Sequence, residues 1–152
     1  MTYEVDQSNK IEQTQKDTVL SISNGVKMSI VLLAKDKRTI QQKFREIGKP
    51  EVFIQFTFSA LLAILLNKSR PNSKVIVDHE YLGHEDIIKL KLKTFLDKLS
   101  CPSISLVAFE FIGKRSPAHN LALKISRSKE RKLFSVPLKT ILQLIFPAEI
   151  KK

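Results

Sequence analysis

Asp78, Glu80, His84 and Glu85 fall within one short stretch, Lys74 to Glu85 (KVIVDHEYLGHE), directly after the apolar run Val75 to Val77. An apolar run ending in an aspartate reads as a buried strand that carries a carboxylate to its C-terminal end, with a turn at Gly83 and a helix beyond. Ligands of open α/β sheets sit outside the carboxyl ends of strands, which makes Asp78 the first residue to examine for chemistry. The plainer role for Asp78 is a strand-end turn former, and Glu80, His84 and Glu85 suit a solvated loop and helix start. His79 and His84 lie five apart across Gly83, a spacing that leaves zinc without a third ligand nearby. A second stretch, GKRSPAH from Gly113 to His119, sets Lys114 and Arg115 at the entrance of a helix capped by Ser116 and opened by Pro117. Cations at such an entrance suit a phosphate. No G-x-S-x-G elbow, Walker A string, dinucleotide fingerprint or H-E-x-x-H motif occurs, and Cys101 has no histidine near it in sequence.

These groups need elements to position them. From Thr2 to Thr14 the chain is extended in character: Tyr3 and Val5 alternate with Thr2, Glu4 and Asp6, and Asp6 suits either the strand or a turn with Ser8 and Asn9. Thr18 to Ser23 alternates again, then Asn24-Gly25 precedes the apolar run Val26 to Ala34. Asn-Gly between two such runs predicts a type I′ hairpin, so the chain to Ala34 reads as a three-stranded antiparallel meander. A helix is expected over Asp36 to Ile47, capped by Asp36, with Ile40, Phe44 and Ile47 on one face and Gly48 as its stop. Pro50 opens a strongly apolar helix to about Asn67, and Arg70 to Ser73 breaks the chain before the strand ending at Asp78. Glu85 to Leu99 is an amphipathic helix with Lys89, Lys91, Lys93 and Lys98 mostly outward. Ile104 to Ile112 is a fifth strand, and Ser126 to Lys132 a charged exposed link. A last apolar helix spans Leu138 to Phe146. The order β-β-β-α-α-β-α-β-α-α implies one α/β domain over residues 1–152, a mixed sheet with helices on its faces.

Composition bounds the partners. There are 26 Lys and Arg against 15 Asp and Glu, a net +11, which favours polyanions and salt-sensitive binding to RNA or DNA, or else serves solubility. Val52 to Leu66 has fifteen residues, including Gln55. A membrane span needs about 20, so this run is expected to be a buried helix with no membrane partner. One cysteine rules out an intrachain disulfide. With no leader-like apolar segment at the N-terminus, the expectation is a cytoplasmic protein. The final apolar helix is a candidate homodimer surface.

In this element order the chain resembles the ribonuclease H-like superfamily of ribonucleases H, integrases, transposases and resolvases. The family places one acidic residue on the first strand, matched by Asp6 in YEVDQS, and another at the end of the fourth, matched by Asp78 in VIVDHE. A carboxylate or histidine near the C-terminal helical part is matched by His119 in GKRSPAHNLA. The resemblance implies a metal-dependent nuclease that hydrolyses phosphodiester bonds, with Mg²⁺ or Mn²⁺ on Asp6 and Asp78. Glu80 or His119 would complete the site, and Lys114, Arg115 and Ser116 would bind nucleic acid. Hard oxygen ligands suit those ions. The family also carries a glutamate on the helix after the meander. Thr57 stands at that place here, or Gln41 or Gln42 if the preceding helix is equivalent, with Glu51 and Glu80 as possible substitutes. That departure supplies the alternative, a catalytically inactive nucleic-acid- or protein-binding module on the same fold.

Overall fold

The computed structural model describes residues 2–102 and 106–147. Among these, β1 (Tyr3–Ser8), β2 (Thr18–Ser23), β3 (Met28–Leu32), β4 (Val75–Asp78) and β5 (Val107–Glu110) form one mixed sheet in the order β3-β2-β1-β4-β5. β1 lies at its centre, antiparallel to β2 and parallel to β4, and β4 is parallel to β5. Helices α1 (Ala34–Glu46), α2 (Phe53–Ser69), α3 (Glu85–Lys98), α4 (Pro117–Ser126) and α5 (Leu138–Ile145) complete the α/β architecture.

The two faces of the sheet follow from strand alternation. Val5, Leu20, Ile22, Ile30 and Leu32 point into the main core with α2 and α3. On the opposite face, Val19 and Val31 pack under Ala122 and Ile125 of α4. α2 is the helix around which the main core is built: every residue from Thr57 to Leu66 is buried, and it touches the sheet, α1, α3 and α5. Pro50–Ser69 is long and apolar enough to cross a membrane, yet most of it is buried inside the protein. α5 sets Ile141 and Leu144 into the same core, against α2 and α3.

Several local expectations are corrected. The hairpin register pairs Ser21 with Ser29 and Ile22 with Met28, which centres the connection on Gly25. An odd-numbered loop cannot be a two-residue type I′ turn, although Asn24 and Gly25 both take positive φ (72° and 146°). α1 starts earlier than expected, with Leu33 at its N-cap and no side-chain cap there. The orphan N–H of Ala34 is instead met by Asp17 Oδ1 at 2.7 Å, so Asp36 is an ordinary first-turn acid. Pro50–Val52 is a 3₁₀ turn ahead of α2, and Ile47 lies outside α1 and is exposed. β5 is shorter than expected, since Phe111 and Ile112 leave the sheet and Ile104 lies outside the described residues. The link after α4 is largely exposed, as expected, but it is not irregular throughout: Arg131–Phe134 is a 3₁₀ turn, and Arg131 Nε donates to Asp17 Oδ2 at 2.7 Å.

Candidate metal centre

Parallel pairing of Val5 with Val77 puts the next residue of each strand, Asp6 and Asp78, side by side on the face that carries α4. Two residues past β4, the loop returns Glu80 to the same spot. Asp6, Asp78 and Glu80 each offer a carboxylate oxygen, and these three atoms lie within 4.8 Å of one another. Asp6 is buried and the other two are half-buried. The cluster could hold a metal ion: hard oxygen donors at this spacing share a cation readily, and like charges this close strongly favour one.

The supports of each carboxylate can be traced to the sequence. Glu4, Asp6 and Ser8 alternate along β1 and all meet α4 or its cap. Ser116 Oγ donates to Glu4 Oε1 at 2.8 Å, His119 Nδ1 lies 2.7 Å from Asp6 Oδ2, and Ser8 Oγ donates to Ser126 Oγ at 3.1 Å. Asp6 Oδ1 accepts from the Gln7 N–H at 2.8 Å, so both oxygens of this carboxylate are oriented. Asp78 Oδ1 accepts from the Ile112 N–H at 3.0 Å, which ties it to the chain leaving β5. Glu80 is placed by its neighbour: the buried Tyr81 hydroxyl accepts from Gln7 Nε2 and Ile11 N, both at 3.0 Å, and donates to Glu12 Oε1 at 3.3 Å. That hub clamps the β4–α3 loop to the end of β1.

The electrostatics of the cluster follow from burial and from the crowding of its carboxyls. Burial pushes Glu80 from 4.5 up to about 8, helped by its hydrogen bond to Asp78 and the charges of Asp6 and Asp78, and opposed by Lys10. Lys10 Nζ stands 3.8 Å from Glu80 Oε2. Burial also raises Asp6, against the lowering effect of the His119 hydrogen bond.

Of the residues singled out in the sequence, Asp6, Asp78, Glu80 and His119 are brought together. Lys114 and Arg115 are exposed on the loop before α4. Ser116 is buried and caps α4, accepting from the Ala118 N–H at 3.2 Å, so its hydroxyl is spent on the fold. Thr57 is buried in α2, Glu51 is exposed on the 3₁₀ turn before it, and Gln41 and Gln42 lie on α1; none belongs to the carboxylate cluster. What α2 does send toward the β4–α3 loop is Phe58, edge-on to Tyr81 at 5.1 Å between ring centroids. His79 sits beside Glu85, with Nδ1 3.2 Å from Oε1, while His84 is exposed at the N-cap of α3.

Two features escape sequence reading. Phe111 is 74% exposed, its ring 5.2 Å from that of His79, the residue between Asp78 and Glu80 in the chain. As part of an apolar run it reads as a strand residue, and only its departure from β5 turns it outward. Lys37 is fully buried on α1 and donates to Lys10 O at 3.3 Å, Gln13 O at 2.7 Å and Thr18 Oγ1 at 2.8 Å, staking down the loop that carries Lys10. Burial draws its amine down to about 8. Comparison with protein-family models, with curated proteins and with solved structures finds no match to the chain.

Proposed function

We propose that the chain is a ribonuclease H-like, divalent-metal-dependent enzyme that hydrolyses phosphodiester bonds of nucleic acid. The observation that carries this reading is the Asp6, Asp78 and Glu80 cluster at the carboxyl ends of β1 and β4, with His119 bonded to Asp6. The strand order, with β1 between an antiparallel β2 and a parallel β4, supports it as well. Oxygen-only ligands point to Mg²⁺ or Mn²⁺ rather than zinc. Such an ion would supply charge stabilisation at the phosphoryl oxygens and an activated water. The chain's own contribution is positional. Asp6 and Asp78 present fixed oxygens, Glu80 adds a third once it loses its proton, and His119 holds the Asp6 carboxylate through Nδ1. Its Nε2 is then the atom suited to take or give a proton.

Two further observations support nucleic acid as the substrate. The net charge of +11 favours polyanions, and Lys114 and Arg115 are exposed on the loop that enters α4. The exposed ring of Phe111, against His79, offers a base a surface to stack on. A second reading, a binding module without chemistry, is favoured by one observation: among the described residues α2 contributes no carboxylate to the cluster.

The deciding experiment presents labelled single-stranded RNA, duplex RNA, duplex DNA, RNA–DNA hybrid and a branched junction to the protein with Mg²⁺, Mn²⁺ or chelator. Metal-dependent cutting that disappears in Asp6→Asn and Asp78→Asn is expected. Binding to these substrates without cutting, and with no Mn²⁺-induced rise in melting temperature, would replace the enzyme by the binding module.

A further inference from the structure

Beyond the carboxylate cluster, an open cleft of about 460 Å³ lies between the end of β1, the β1–β2 loop and the C-terminal end of α4. Ser8, Lys16, Asp17, Ser126, Arg127 and Arg131 line it. Its one carboxylate is already spent: Asp17 accepts from Arg131 Nε and from the Ala34 N–H, each at 2.7 Å. Those bonds hold Asp17 below its ordinary range in spite of partial burial, so it stays ionised and paired. Lys16 and Arg127 are exposed and form no ion pair among the described residues. The cleft therefore keeps a local positive charge over a floor of hydroxyl groups.

Its position relative to the cluster is fixed by two elements. Ser8 follows Asp6 by two residues on the same face of β1, about 7 Å along the strand. Ser126 follows His119 by seven residues on α4, about 10 Å along the helix. The Ser8–Ser126 bond closes this frame at 3.1 Å, so the cleft and the cluster share both walls. Leu123 is the one apolar side chain in the lining, and no aromatic ring is present to hold a base. Cations without a base pocket match a sugar–phosphate backbone.

We propose that this cleft binds the phosphodiester backbone of a nucleic-acid strand, through Lys16 and Arg127, on the stretch flanking the phosphate that reaches Asp6. The inference rests on the nucleic-acid part of the proposed function and deepens it, assigning the backbone a path along α4. Ser8 and Ser126 brace the wall, Ser8 donating to Ser126 Oγ and Ser126 to Leu123 O at 2.8 Å, and Arg131 keeps Asp17 neutralised. Readout there is independent of sequence, as contacts to backbone alone must be.

The test measures fluorescence anisotropy of short labelled single-stranded RNA and DNA oligonucleotides in chelator, over a range of salt. Lys16→Ala/Arg127→Ala is compared with Lys89→Ala/Lys93→Ala, which removes the same charge from the exposed face of α3. The cleft pair should weaken binding about tenfold at low salt and reduce the salt slope by about 1.4, two contacts at about 0.7 each for a single strand. The α3 pair should stay close to wild type, and inorganic phosphate should displace the oligonucleotide no better than chloride at equal ionic strength. Equal losses from both pairs, no loss from the cleft pair, or selective displacement by free phosphate would each overturn the proposal. Because chelator is present throughout, the result is separable from the enzyme reading. Cleft-dependent binding in a protein that never responds to Mn²⁺ would sink the nuclease and keep the cleft, whereas Mn²⁺-dependent cutting unaffected by the cleft pair, together with unchanged binding, would do the reverse.

Discussion

Glu80 is the residue at which folding and the binding of a cation would compete. Its carboxyl moves from 4.5 to about 8 on folding, so between those pH values the folded chain holds a proton that the unfolded chain has lost. Metal-free stability should therefore fall as pH rises through this window. Glu80→Gln should flatten that slope and stabilise the metal-free protein at the upper end by about 1–3 kcal/mol, read from melting curves in chelator across the range. The same substitution removes an oxygen donor, so stabilisation by Mn²⁺ should shrink. In the wild type, Mn²⁺ must displace this proton, and its effect on melting should grow with pH through the same window. His119 acts one step behind, through Asp6. His119→Ala should cost about 10–100-fold in Mn²⁺ affinity, measured by titration, while leaving the fold intact.

At the scale of elements, two side chains hold the site in place. Tyr81 joins the β4–α3 loop to the end of β1, and Tyr81→Phe leaves the Ile11 N–H and the Gln7 amide without their acceptor. A loss of about 1–3 kcal/mol is expected in denaturant unfolding, with weaker Mn²⁺ stabilisation because Glu80 loses its anchor. Ser116 both caps α4 and reaches Glu4, so Ser116→Ala should cost about 1–2 kcal/mol. The elements themselves were largely readable. The alternation that begins in Tyr3–Ser8 and runs from Leu20 to Ser23, the long apolar run of α2 and the acid after Val75–Val77 all have local causes, and they are the strands, helix and strand end observed. What escaped reading depends on distant partners. Asp17 meets α1 from seventeen residues away, and no local signal distinguishes it from Asp36 as the group that satisfies the first turn. Ile47 has the spacing of a core residue but falls beyond the last turn of α1, where nothing covers it. The grouping of Asp6, Asp78 and Glu80 required the register of two strands far apart in sequence together with a loop held by Tyr81, and local pattern specifies neither.

For the molecule as a whole, α2 carries the greatest share of burial, touching the sheet and three other helices. Leu62→Ala at its centre should destabilise the protein by about 2–5 kcal/mol, a large part of the roughly 5–15 kcal/mol typical of a domain. A charge of +11 on so small a chain repels itself, so moderate salt should raise the melting temperature, and the proposed nucleic-acid binding should weaken over the same range. The bond between His119 and Asp6 joins residues 113 apart. A chain leaving the ribosome releases β1, and long afterwards β4, before the helix that fixes Asp6 has been made. A nascent or truncated chain ending before Pro117 thus carries its carboxylates without the frame that aims them. Were the cluster catalytic, hydrolysis would be confined to a chain complete through α4, and the message and ribosomal RNA beside the growing polypeptide would be spared until it departs.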